Sequence, residues 1–215
     1  MSGQHVTPMP PTVAFALVVV QHPDHDKFVL VHEKAQRGWW LPGGGVDAGQ
    51  TFAEAAVREA EEEAGVDCEL TGILRIENSC PGMGRLRVIF HARPKDATLP
   101  LKSVPDHHSK GARWVTLSEL DSIASRCPIP GVEPETCKLR GPEPYHWFHY
   151  LAEGHPILPL SLLDTIRLGR AKEWTGPGDP PRAFYPTLFS IALAIVSDDK
   201  VVVAESGELP TTHAT

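Results

Sequence analysis

"GGGVDAGQTFAEAAVREAEEEAGV", Gly43 to Val66, sets three glycines ahead of a segment that holds Glu54, Glu59, Glu61, Glu62 and Glu63. Thr51 and Glu54 have the Thr-x-x-Glu spacing of a capping box, strong helix formers follow, and Gly65 stands where a helix usually places its terminal glycine. The spacing therefore predicts a helix that starts after Thr51 and stops at Gly65. On it Glu59, Glu62 and Glu63 fall at i, i+3 and i+4 and share one side. Like charges at these spacings destabilise an isolated helix by about 0.2–0.5 kcal/mol per pair. A solvated helix face is one explanation. The other is a hard divalent cation, which takes oxygen ligands and commonly divides its shell between carboxylates and substrate phosphates.

The rest of the chain narrows the choice. With 215 residues there is length for one generous domain and a substantial core. The net charge of −7 and the scattered Lys and Arg argue against a nucleic-acid duplex or an anionic membrane as partner. Cys68, Cys80, Cys127 and Cys137 form no CxxC pair, so neither a zinc site nor a disulfide framework is expected, and a cytoplasmic location fits best. The apolar run Val13 to Val20 is far too short to span a bilayer.

Upstream of the glycines, Val13–Val20 and Lys27–His32 are β-branched runs separated by "QHPDHD" and read as a hairpin. Arg37 to Gln50 reads as a loop carrying Trp39 and Trp40. Downstream, Cys68–Ser79 and Arg85–Pro94 read as two strands, Gly111–Leu120 as a short strand and a helix start, and Pro142–Gly154 as a helix with Trp147, Phe148 and Leu151 at packing intervals. The 21 prolines, about double the usual ~5% share, concentrate in stretches expected to be extended loops. The organisation expected is a domain over 1–172 with a helical extension, a Pro/Gly-rich linker over 173–186, and an apolar hairpin over 187–215. That last segment repeats the grammar of Ala14 to Asp47: Lys27 corresponds to Lys200, Glu33 to Glu205, and Leu41-Pro42 to Leu209-Pro210. It reads either as the opening of a second, degenerate unit or as a hairpin that docks on a sheet edge of its own domain or of a second copy of the chain in a homodimer.

Gly44, Arg58, Glu59, Ala60, Glu62, Glu63, Gly65 and Val66 match the Nudix box G-x5-E-x7-R-E-U-x-E-E-x-G-U, where U is apolar. The chain thus resembles the Nudix hydrolases over Val13 to about Ser125, helped by "WWLPGGGV" and "ARWVTLSEL". The resemblance implies an α/β fold, an α/β/α sandwich with a mixed central sheet. It implies Mg²⁺- or Mn²⁺-dependent hydrolysis of the phosphoanhydride of nucleoside diphosphate derivatives, with a small nucleotide as partner. Glu59, Glu62 and Glu63 would be the metal ligands, the Gly43 carbonyl would help, and Arg58 would orient the glutamates.

One fixed position departs, because Gln50 replaces the first glutamate of the pattern; an amide adds no negative charge and cannot serve as a base. Where many members carry an acidic pair this chain has Asp106, His107 and His108. His108 could act as a base near neutral pH or be a surface loop residue. Arg85 and Arg87 are candidate phosphate contacts or a solvated strand face, and Trp39 and Trp40 a stacking wall for a base or core packing. Short segments also resemble the phosphatases of oxidised guanine nucleoside diphosphates such as 8-oxo-dGDP. A pyrophosphatase of ADP-ribose or a dinucleotide, and a catalytically weak nucleotide sensor, are the alternatives.

Overall fold

A computed structural model describes residues 12–24, 26–79, 84–126, 131–132, 137–163, 195–197 and 200–202. Strand β1 (Thr12–Val20) pairs in parallel with β6 (Gly84–Pro94) and antiparallel with β4 (Gly43–Gly45), and β5 (Cys68–Ser79) pairs antiparallel with β6. The resulting mixed sheet has the order β4-β1-β6-β5. A second, antiparallel sheet has the order β3-β2-β7, from β3 (Trp39–Trp40), β2 (Lys27–His32) and β7 (Gly111–Thr116).

Two sequence expectations are corrected here. Val13–Val20 and Lys27–His32 are joined by a tight turn, with the His22 N–H donating to the Lys27 carbonyl at 2.8 Å, yet beyond the Gln21–Phe28 bridge they part into different sheets. The cause is burial on both faces. Ala16 and Val18 to Val20 are fully buried without alternation, which suits an internal strand with parallel pairing rather than a half-exposed hairpin. The segment 37–50 is also no simple loop, since Trp39–Trp40 and Gly43–Gly45 each add to a sheet.

Helix α1 (Phe52–Ala64) packs against β1, β4 and β5 of one sheet and β7 and β2 of the other. Its Thr51–Glu54 capping box is complete, with bonds of 3.0 and 2.9 Å. Gly65 closes it in the left-handed conformation, φ 67°. A second capping box, Thr116 with Glu119, starts α2 (Leu117–Ala124), and α3 (Glu143–Ala152) lies against α2 and β1. Phe148 of α3 stacks on Phe28 at 4.4 Å, in a core that also takes Leu17, Leu30, Ile89, Leu120 and Trp147.

The chain divides into two compact units, Met1–Ser161 and Leu162–Thr215. In the second, β8 (Ile195–Ser197) pairs antiparallel with β9 (Lys200–Val202). The segment 173–186 and the remainder of the C-terminal repeat lie outside the described residues. Among those residues no helix is long and apolar enough to cross a membrane.

Candidate active site

Arg58 is the hub of the site. Its Nη1 lies 2.8 Å from Glu59 Oε1 and 2.7 Å from Glu62 Oε2, its Nη2 donates to the Gly45 carbonyl at 2.9 Å, and its Nε donates to Gln50 Oε1 at 3.3 Å. One guanidinium thus fastens two carboxylates of the helix to the glycine strand before it, in the fork geometry that arginine alone supplies. Gln50 keeps one function that a glutamate would have here, because its oxygen accepts from Arg58 and from the Asp47 N–H at 3.2 Å. What it lacks is the charge.

Glu63 points elsewhere and accepts the Gly43 N–H at 2.9 Å. Burial pushes its carboxyl up to about 8, against the lowering effect of the Gly43 bond, with the charges of Glu59 and Glu33 adding to the rise. Burial also raises Glu59, which is 7% exposed, and the adjacent Arg58 opposes the rise. Gly44 explains how Glu59 fits. A Cβ there would stand 2.4 Å from Glu59 Oε1, so the carboxylate occupies space that only glycine leaves open.

The end of α1 is held by a segment whose role the sequence did not disclose. A helix leaves its last four carbonyls without internal partners. Here the Gly65 N–H takes that of Glu61 at 2.9 Å, Lys102 Nζ that of Glu62 at 2.6 Å, Ser109 Oγ that of Glu63 at 2.6 Å, and the Lys102 N–H that of Ala64 at 2.9 Å. Lys102 Nζ also pairs with Asp106 at 2.6 Å and holds that carboxyl well below its usual range. The same segment brings His108 Nδ1 to 3.6 Å from Glu62 Oε2 and sets its ring, tilted, with its centroid 3.8 Å from that of His107. His108 therefore faces the glutamates, at a distance longer than a hydrogen bond.

The other candidates are placed apart. Gly44 pairs with Ala16 and faces Glu59, so strand alternation puts Phe15, Arg85 and Arg87 on the opposite sheet face. There Arg87 is held by Glu77 at 2.7 Å and Glu143 at 3.2 Å, and Arg85 lies over the Phe15 ring at 5.4 Å. Neither arginine reaches the glutamates. Trp39 and Trp40 are 6% and 7% exposed and belong to the core, so packing takes both rings. The reason is their place in β3, whose backbone is covered by residues 138–140.

Among the described residues no three His, Cys, Asp or Glu side chains gather as a metal site. Arg58 holds Glu59 and Glu62, and Gly43 holds Glu63. By donor type the set nonetheless fits a hard cation, since it offers carboxylate oxygens beside a strand carbonyl, with Glu59 buried and Glu63 half-buried where a positive charge would be stabilising.

Comparison with known proteins agrees with this fold and box. The NUDIX domain model matches residues 10–130, and the chain belongs to that family. It is 34% identical over 111 residues to putative nudix hydrolase 1 of Caenorhabditis elegans, covering 50% of this chain and 29% of that protein. To an 8-oxo-dGDP phosphatase of Homo sapiens it is 32% identical over 111 residues, covering 50% and 34%. The matched segment thus spans about a third of the length of these relatives. A crystal structure of a NUDIX hydrolase from Nitrosomonas europaea shares the fold, with a TM-score of 0.50 at 19% identity over 71% of this chain and 78% of that one.

Proposed function

We propose that the protein hydrolyses the phosphoanhydride bond of nucleoside diphosphate derivatives with a divalent cation, Mg²⁺ or Mn²⁺, and that oxidised guanine nucleotides of the 8-oxo-dGDP type are its substrate class. The observation that carries the reaction is the Arg58 hub, which gathers Glu59, Glu62 and the Gly45 carbonyl at the end of the glycine strand. The substrate class is supported by the identity to a phosphatase of that name.

Glu59, Glu62, Glu63 and the Gly43 carbonyl would hold the cation. When bound, it would neutralise phosphate oxygens and lower the pKa of an attacking water. The chain's own residues do the rest. Arg58 keeps Glu59 and Glu62 together against their mutual repulsion. Lys102 and Ser109 fix the helix end that presents them. His108, 3.6 Å from Glu62, would take the proton. The proposal includes a cytoplasmic location and a small nucleotide as partner, with a homodimer through the C-terminal hairpin as a further expectation.

The test is a screen of nucleoside di- and triphosphates, oxidised nucleotides, ADP-ribose and dinucleotides with Mg²⁺, with products identified. Glu62→Gln should remove most of the turnover and leave the fold intact, because the side chains are nearly isosteric. Full activity in that variant would refute the metal assignment. Preference for ADP-ribose would correct the substrate class, and nucleotide binding without turnover would make the protein a sensor.

A further inference from the structure

The segment 138–140 lies outside the family match and runs along β3. The Trp39 N–H donates to the Lys138 carbonyl at 2.8 Å, the Arg140 N–H donates to the Trp39 carbonyl at 2.9 Å, and Leu139 pairs with Trp39 in parallel register. Gly141 then lies against the Trp40 ring, where an added Cβ would approach Cζ3 to 2.9 Å. Backbone bonds and this contact already fix the segment. The Arg140 side chain is therefore not needed to hold it.

That side chain is nonetheless held at two points. Its Nη1 is 2.5 Å from Glu33 Oε1, and its guanidinium lies over the Trp40 ring, 5.1 Å from the centroid. Glu33 is 12% exposed and Arg140 43%. An ion pair this open contributes little to stability. Glu33 Oε2 is buried with no partner among the described residues, and Nε and Nη2 of Arg140 make no hydrogen bond among them. Trp40, which the guanidinium covers, precedes Gly43 by three residues, so the Cα atoms of those two residues lie within about 10 Å of each other at ~3.3 Å per residue, and Gly43 is the residue whose N–H Glu63 accepts. Glu33 is also close enough for its charge to act on Glu63. A fixed, half-exposed cation with open donors thus pairs with Glu33, on the segment that leads through Trp40 to Gly43 and the carboxylate that Gly43 holds.

We propose that Arg140 is a substrate-binding residue that donates to an oxygen of the substrate diphosphate, with Glu33 as the positioning residue that aims it. The inference rests on the reading of this site as a nucleoside diphosphate hydrolase. Guanidinium N–H groups pair well with phosphate oxygens, and a diphosphate has several of them. Glu33 fixes one nitrogen and the indole fixes the plane, which leaves the outer edge turned to the substrate.

Steady-state kinetics with 8-oxo-dGDP and Mg²⁺ on the full chain test this, alongside calorimetric binding of inorganic pyrophosphate with Mg²⁺ and of guanosine. Arg140→Ala should raise KM about 10–100-fold, the value of a charge-assisted bond, while kcat changes less than about threefold. Pyrophosphate affinity should fall by a similar factor and guanosine binding should stay unchanged. Arg140→Lys should recover part of the loss, and Glu33→Gln should raise KM by a smaller factor than Arg140→Ala. An unchanged KM and pyrophosphate affinity in Arg140→Ala would overturn the assignment. So would a loss confined to guanosine, which would make Arg140 a base contact. If the wild type turns over no nucleotide, the hydrolase reading fails, yet a drop in pyrophosphate affinity in Arg140→Ala still supports the site. Wild-type protein that binds no pyrophosphate overturns it.

Discussion

Gly44→Ala should disable the site through a single methyl group. The added Cβ would lie 2.4 Å from Glu59 Oε1, 2.7 Å from its Cδ and 2.9 Å from Oε2. Cβ atoms essentially never approach other atoms to less than 3.0 Å, so the carboxylate has to retreat. The backbone need not change, because Gly44 sits in a regular antiparallel register with Ala16 and has no positive φ. The strain therefore falls on Glu59 and its 2.8 Å pair with Arg58. A hydrogen bond to a charged group has a net worth of about 1.5–3 kcal/mol, and each 1.4 kcal/mol is a factor of ten. Loss of this pair should reduce kcat/KM about 10–100-fold and raise the Mg²⁺ concentration for half-maximal rate.

Gly45→Ala is the control. It is the neighbouring glycine, its carbonyl accepts from Arg58, and nothing lies within 4 Å of an added Cβ. Kinetics under an Mg²⁺ titration, with melting temperatures for both variants, should show Gly45→Ala within about twofold of wild type, because the added methyl meets nothing and the carbonyl that Arg58 uses is retained. Wild-type kcat/KM and metal demand in Gly44→Ala would refute the argument that the Glu59 position matters. Equal damage from both changes would refute the argument that it acts through this contact.

Gln50→Glu replaces a neutral acceptor of the Arg58 Nε by a charged one, and should lower the Mg²⁺ concentration for half-maximal rate; an unchanged or higher value would mean that the pocket has adapted to the amide. Ser109→Ala leaves the Glu63 carbonyl without its hydroxyl donor in a fully buried place and should cost about 1–3 kcal/mol, the penalty of an unsatisfied buried acceptor, read from denaturant unfolding. His91 is 2% exposed between Thr71 and Gln21, and burial lowers its pKa from 6.5 to about 4. The unfolded chain binds that proton first, so stability is full above pH 6.5 and falls as pH drops towards about 4. The loss is on the order of 3 kcal/mol at ~1.4 kcal/mol per unit. His91→Gln should flatten that leg of the pH–stability curve, and an unchanged slope would exclude His91 as its source.

What could be read from the sequence was what short spacings encode. The cap at Thr51, the stop at Gly65 and the shared side of Glu59, Glu62 and Glu63 all follow from the helical repeat, and α1 has those limits. The strands also announced themselves, but their partners did not. Val13–Val20 and Lys27–His32 are adjacent in sequence and apolar, which favours a hairpin; their separation depends on β6 and β7, some 70 to 90 residues away, offering longer ladders. The unbroken apolar run from Val13 to Val20 was the one local hint, since a half-exposed hairpin should alternate.

The parts of the site that were not legible share a cause. Lys102 and Ser109 satisfy carbonyls 40 and 46 residues earlier, and Arg140 meets Glu33 across 107 residues. Nothing in "LKSVPDHHSK" marks one lysine as a helix cap, because the need arises only when α1 ends against that segment. The Nudix box therefore names the groups that carry charge, whereas the residues that aim them are set by tertiary contacts. A box transplanted with Gly43 to Val66 alone would retain Arg58, Glu59 and Glu62 at their mutual spacing. It would lose the donors to the Glu62, Glu63 and Ala64 carbonyls, and with them the fixed helix end from which Glu62 and Glu63 project.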